Sequence, residues 1–215
     1  FDWHYDPANK TPDVQYVGKF VSDPESLLRD GVRACKDALS DNDKYDEVSI
    51  KGKPYNKEAA EIMEGYHNDL TRAGYTSHNT GGRQSRENLH HVMHLMAERS
   101  GLWNPQIMFL EQPPGKFVPW HRDSYNNYRR NFAKVGDDTE VIRYLVQLND
   151  WQWGHYVSVG NDVIHQYELG DIHCWKEGIY HATGNAGLWP RYCLTITGVV
   201  TDSSLHLQQP KEFKI

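Results

Sequence analysis

The apolar positions of this chain change period about halfway along. Up to about residue 100 they recur at helical spacing, and beyond Trp103 they fall into short runs broken by turn residues. Asp23-Pro24 offers an N-cap followed by proline at the first helical position, and Leu28, Val32, Cys35 and Leu39 then share one face. A second helix is expected from about Asn56, with Ile62, Met63, Tyr66 and Leu70 on its apolar side and a stop before Gly74. Residues 77–82 read as a loop by composition. A third helix, capped by Ser85, turns Leu89, Val92, Met93 and Met96 towards a core and ends at Gly101.

The second half reads as strands. Ile107 to Leu110, Lys116 to Trp120, Val141 to Leu148, Tyr156 to Val159, Val163 to Tyr167, Ile172 to Trp175 and Arg191 to Val200 are β-rich runs. Pro-Gly, Asn-Asp, Gly-Asn and Leu-Gly-Asp punctuate them. Such spacing favours two packed sheets over alternating β and α units. The expected fold is therefore α+β, mainly β, with a double-stranded β-helix (jelly roll) core buttressed by N-terminal helices. One domain is expected over residues 1–215, divided into a helical support region (1–104), a jelly-roll core (105–200) and a C-terminal tail (201–215). The longest connection without periodicity, Ser124 to Glu140, suggests a lid or a substrate contact.

Composition narrows the function classes. A chain of 215 residues and 24.9 kDa is long enough for a substantial core. Seven Trp and thirteen Tyr offset a hydrophobic share of only 38%, which implies amphipathic packing surfaces and a lined pocket. A net charge of −6 gives no basic footprint for a phosphate backbone, so nucleic acid is not expected as a partner. Cys35, Cys174 and Cys193 are odd in number and widely separated, which favours a reducing, cytoplasmic setting over a disulfide framework. No apolar run reaches membrane-spanning length, so no membrane partner is expected; because the numbering opens at Phe1, a preceding leader stays open. Oligomeric state is not readable.

The chemistry concentrates on His121-Arg122-Asp123, with His181 and Arg191 further along. On an extended strand, residues two apart point to the same side, so His121 and Asp123 can reach one metal ion. A second histidine from a distant strand, His181, completes one face of the ion. Two neutral imidazoles and one carboxylate leave the opposite face open, a geometry linked to non-haem Fe(II). His90, His91 and His94 include a pair at helical spacing, but no Glu completes a zinc-protease motif and their apolar neighbours account for the helix.

Residues from about Ile107 to Val200 resemble the prolyl-4-hydroxylase-like branch of the 2-oxoglutarate- and Fe(II)-dependent oxygenases. Four blocks carry the resemblance in order: Leu110 to Asp123 before and through the first ligands, Arg143 to Trp151 with its Leu148-Asn149 pair, Leu169-Gly170-Asp171 to Trp175, and Tyr180 to Asn185 followed by Pro190 to Ile196. Gln147 stands where the family often has Tyr, and Trp153-Gly154-His155 replaces a Gly-Gly segment. The first hundred residues show no such likeness.

The resemblance implies His121, Asp123 and His181 as Fe(II) ligands, with 2-oxoglutarate and O2 as co-substrates and ascorbate as a supporting reductant. It puts the distal carboxylate of 2-oxoglutarate on Arg191, which a fork of N–H donors suits. Alternation along the last long strand brings Thr195 to the same side, and Gln147 is a candidate amide donor to the same co-substrate. Arg143, sharing a face with Leu145, is a candidate for an anionic substrate group, while Trp120 and Tyr125 are candidate pocket walls. The implied reaction is hydroxylation of an unactivated C–H bond with release of succinate and CO2. Its substrate is a small molecule or a peptidyl group, prolyl at the family level, and demethylation stays open. Retention of Asp123 argues against halogenation. Two other readings remain: a cupin-like metal protein without 2-oxoglutarate chemistry, and a catalytically silent binding module.

Overall fold

A computed structural model describes residues 12–39, 83–86 and 88–215. The helix expected from Asn56 and the loop at 77–82 lie outside these residues. The described chain contains two α-helices, α1 (Ser26–Ala38) and α2 (His91–Arg99), and eleven strands. The strands are β1 (Val14–Val21), β2 (Arg83–Ser85), β3 (Trp103–Gln112), β4 (Phe117–His121), β5 (Val141–Gln147), β6 (His155–Val159), β7 (Asp162–Ile164), β8 (Asp171–Trp175), β9 (His181–Asn185), β10 (Arg191–Val199) and β11 (Lys211–Lys214).

They form two sheets, a major one ordered β11-β1-β8-β5-β10-β3-β2 and a minor one ordered β4-β9-β6-β7. This is an α+β, mainly β architecture with a double-stranded β-helix core. The major sheet is antiparallel except at the β1–β11 edge, where Gly18 to Val21 pair in parallel with Lys211 to Lys214. It therefore recruits strands from both ends of the described chain, and Phe213 is buried there against Phe20.

Each face of the major sheet serves a different interior. Along β10, Tyr192, Leu194 and Ile196 join Tyr144, Val146, Ile172 and the helix residues Leu28, Val92, Met93 and Met96 in the larger apolar cluster. Period-two alternation sends Arg191, Cys193, Thr195 and Thr197 the other way, into the space between the sheets. Both sets are buried. The expected apolar faces of α1 and α2 are the ones that pack on the sheet, and the helices approach closely because Gly31 has no side chain: a Cβ there would meet Val92 Cγ1 at 2.2 Å.

Several boundaries differ from the sequence reading. The first helix begins at Ser26, and Ser22 Oγ, not Asp23, accepts from the Leu28 amide at 3.1 Å. The third expected helix begins at His91, because Asn88 adopts a left-handed φ of 56° and residues 83–85 are already committed to pairing with β3. Its capping acceptor is His90 Nδ1. The run from Val163 to Tyr167 yields only a three-residue strand, since Gln166 is left-handed (φ 55°). Ser124 to Glu140, expected as a lid or a substrate contact, includes a π-helical turn (Tyr128–Ala133), and Tyr125, Tyr128 and Ala133 pack with Val141 in a small buried cluster. Among the described residues, no helix is long and apolar enough to cross a membrane.

Candidate metal centre and its cavity

The site occupies the space between the sheets. His121 ends β4 and His181 begins β9, and the two are directly paired in the ladder. A bulge makes this possible. Between the pairs Val118–Thr183 and His121–His181, β4 advances by three residues while β9 advances by two. The extra residue turns His121 to the side that Val118 faces and leaves Trp120 39% exposed on the outside. Asp123 lies just beyond the end of β4, so its orientation is set by its side-chain partners and not by strand alternation. One ligand atom from each of His121, Asp123 and His181 lies within 4.8 Å of the others.

The two imidazoles are prepared in the same way. Each Nδ1 hydrogen-bonds a backbone carbonyl two residues upstream, His121 to Pro119 at 2.8 Å and His181 to Ile179 at 3.0 Å. A carbonyl only accepts, so both Nδ1 atoms carry the proton and both Nε2 atoms carry the lone pair. Burial, reinforced by the neighbouring His121 imidazole, pushes the His181 pKa from 6.5 down to about 4. His181 is thus neutral around pH 7. Burial alone would raise the Asp123 pKa, but the neighbouring Arg143, through its charge and its hydrogen bond, outweighs it and holds the carboxyl below its usual range. Two neutral nitrogens and one carboxylate oxygen are a donor set suited to a divalent first-row metal ion.

A cavity of about 160 Å³ opens from this triad. Val118, Leu145 and Trp175 form part of its apolar wall, and Arg143, Thr183, Arg191 and Thr195 reach into it. Arg191 is only 2% exposed. Its contacts are to neutral groups: Gln112 Oε1 at 3.3 Å, Gln147 Oε1 at 3.5 Å, and the Tyr167 hydroxyl and Cys193 thiol, both kept protonated by burial. Glu111 lines the same cavity, but its carboxylate is engaged by Arg83 and by the Tyr192 hydroxyl. Among the described residues, Arg191 therefore has no acid partner. Arg191 Nε, Gln147 Nε2 and His173 Nδ1 are buried without any hydrogen bond. A buried guanidinium surrounded by unused donors fits an anionic ligand, because leaving such groups unpaired costs several kcal/mol in the order-of-magnitude sense.

The residues read as candidates from sequence separate into three groups. His121, Asp123, His181, Arg191 and Thr195 share the cavity, and Gln147 is buried behind Arg191. Arg143 also lines it, but its Nη1 donates to Asp123 Oδ2 at 2.5 Å and its Nε to Thr197 Oγ1 at 2.9 Å. Trp120 and Tyr125 are not among the lining residues: Trp120 faces outward, and Tyr125 is 2% exposed with its ring beneath the Arg143 guanidinium. Gln112 and Thr183 escaped the sequence reading. Gln112 is the cross-strand partner of Arg191 and bridges the sheets by donating to Thr183 Oγ1 at 3.0 Å. Only the register of β3 against β10 reveals it.

An ion pair between a buried arginine and an exposed glutamate ties together the loops that carry the ligands. Arg129, 5% exposed, forks onto Glu177 with contacts of 2.9 and 2.6 Å. Glu177 also accepts from the Tyr125 amide at 2.9 Å. The segment after Asp123 is thereby tied to the turn before His181.

No family model and no curated protein matches the chain. Among solved structures it is similar to a prolyl-4-hydroxylase from Pseudomonas putida, with 18% identity over 89% of this chain and 94% of that one and a TM-score of 0.45. It is also similar to a predicted oxalate decarboxylase from Thermotoga maritima (13% identity, 55% and 80% covered, TM-score 0.35) and to a cupin domain from Bordetella pertussis (16%, 45% and 82%, 0.30).

Proposed function

We propose that this protein is an Fe(II)- and 2-oxoglutarate-dependent dioxygenase that hydroxylates an unactivated C–H bond of a small molecule or a peptidyl group, a prolyl residue included. The observation that carries this reading is the pairing of two features in one cavity: a His-Asp-His triad and a buried arginine whose described neighbours are all neutral. The second feature supports an anionic ligand beside the metal, the role that 2-oxoglutarate would fill.

His121, Asp123 and His181 would hold the metal, and their hydrogen bonds support the role, since each imidazole engages a backbone carbonyl through Nδ1 and leaves Nε2 for the ion, and Asp123 has its carboxyl held below its usual range. Arg191 would hold the far carboxylate of 2-oxoglutarate by a two-point hydrogen bond, with Gln147 Nε2 and the Thr195 hydroxyl as further donors. When bound, Fe(II) with 2-oxoglutarate and O2 supplies an oxidative decarboxylation that yields succinate and CO2 and inserts one oxygen atom into the C–H bond. The walls formed by Val118, Leu145 and Trp175 keep water from the reacting centre, and the rigid triad orients what binds there.

Succinate formation tests the reading. Purified protein with Fe(II), ascorbate, air and 2-oxoglutarate should release succinate slowly alone and faster with a suitable substrate from a panel of prolyl peptides and amino acids. Arg191→Ala should lose this turnover while still binding one metal ion. Metal binding without succinate across the panel would favour a cupin-like or silent binding protein instead.

A further inference from the structure

Arg143 sits beside the candidate metal carboxylate in an arrangement that metal binding alone does not require. A guanidinium next to a cation site repels the cation, yet here it lies 2.5 Å from Asp123 Oδ2. It is also held from behind. Nε donates to Thr197 Oγ1 at 2.9 Å, fixing the plane of the fork, and the group rests over the Tyr125 ring at 5.2 Å. Tyr125 is in turn buried, with its amide bound to Glu177, which Arg129 clamps. The chain of contacts thus runs from the Arg129–Glu177 pair through Tyr125 to Arg143 and ends on Asp123.

An aspartate can grip a metal ion through one oxygen or both. With two oxygens it fills an additional coordination position, and on a three-residue face that position is one an incoming ligand needs. The Arg143 hydrogen bond engages Oδ2, the oxygen that also lies 3.6 Å from His181 Nε2, and so restrains the carboxylate from rotating to present both oxygens to one ion. We propose that Arg143 is a positioning residue that limits Asp123 to one-oxygen ligation of a divalent metal, giving up affinity for the ion to keep its coordination face open. The inference rests on a metal ion at His121, Asp123 and His181, and does not depend on which co-substrate follows.

Mn(II) serves as the probe, without co-substrate or turnover. Its affinity is read by titration, and the number of water molecules on the bound ion by proton relaxation. In Arg143→Met, which keeps the side-chain stem, affinity should rise about tenfold or more as the competing charge disappears, and at least one metal-bound water should be lost as the second carboxylate oxygen coordinates. Thr197→Val is the gentler variant, leaving the guanidinium but removing its aiming contact. It should shift both readings in the same direction by a smaller amount, with an unchanged fold by circular dichroism. Wild-type protein that binds Mn(II), with both variants showing equal or weaker affinity and the same water count, would overturn the role of Arg143 alone. Failure of the wild-type protein to bind Mn(II) would overturn the metal site and this inference together.

Discussion

Arg191 illustrates how a single side chain can be costly to the fold and useful to the site. It is buried among neutral groups, with its Nε unsatisfied, so the unliganded fold bears the desolvation of a charge that only neutral hydrogen-bond partners offset in its described surroundings. A ligand that supplies the missing carboxylate should therefore stabilise the protein strongly. With Mn(II) present and oxygen excluded, 2-oxoglutarate at about 100 times its Kd should add about 2.7 kcal/mol and raise Tm by roughly 5–10 °C. Arg191→Met should abolish this rise without losing the metal. His173, close by, makes a prediction about acid. It is 8% exposed, and burial together with the Arg191 charge lowers its pKa from 6.5 to about 4. In the fold the ring is neutral, whereas the unfolded chain takes up a proton below about pH 6.5. The stability attached to this residue is complete above that pH, declines as pH falls towards about 4 and then levels off, a total of about 3 kcal/mol. Because Nδ1 has no partner, His173→Leu should be mild at pH 7 and should gain on the wild type as thermal melts are moved to pH 5.

Elements vary in how plainly the sequence announces them. Strand β10 is legible because both of its faces are buried, giving an apolar run interrupted at even spacing by Arg191, Thr195 and Thr197. Strand β9 is His-Ala-Thr-Gly-Asn, too small and polar to stand out among the β-rich runs, and is expected as a strand only through its metal-ligand candidate His181. The start of α2 was misread because Ser85 looks like a cap, while the decision is made by the left-handed backbone at Asn88, which side-chain pattern does not reveal. The triad itself was legible as three residue types in a recognisable order. The β4 bulge that turns His121 inward and Trp120 outward was not, since strand parity alone gives the opposite result. The segment from Ser124 to Glu140 looked open because its apolar residues follow no period. It is closed by the Arg129–Glu177 pair. Glu177→Gln should leave Arg129 with the Thr139 carbonyl and a neutral amide in place of a carboxylate, and cost about 1 kcal/mol in a urea titration. The same change should loosen the ligand-bearing loops, weakening Mn(II) binding about tenfold. Unaltered affinity in a destabilised variant would show that the pair serves the fold alone.

At the scale of the molecule, stability and chemistry are supplied by separate compartments. The larger apolar cluster lies between the helices and the outer face of the major sheet, and the cavity lies between the two sheets. The β1–β11 edge belongs to the first compartment, with Phe213 1% exposed. Phe213→Ala should therefore destabilise the fold by about 3–4 kcal/mol while leaving Mn(II) affinity and water count as in the wild type. A matching loss of metal binding at temperatures where the variant remains folded would show that the compartments are coupled.

Strand β10 is the wall between them, and its alternation has an evolutionary corollary. Odd-numbered positions can drift with whatever the cavity holds, provided Arg191 is kept, and even-numbered positions can drift with the helical packing, each without disturbing the other. A single-codon insertion or deletion within the strand has no such latitude. With Arg191 held in place, it would deliver Leu194 and Ile196 to the cavity and Thr195 and Thr197 to the apolar interior in one stroke. Length variation in descendants of this sequence should consequently collect in the turns on either side of β10 and spare the strand.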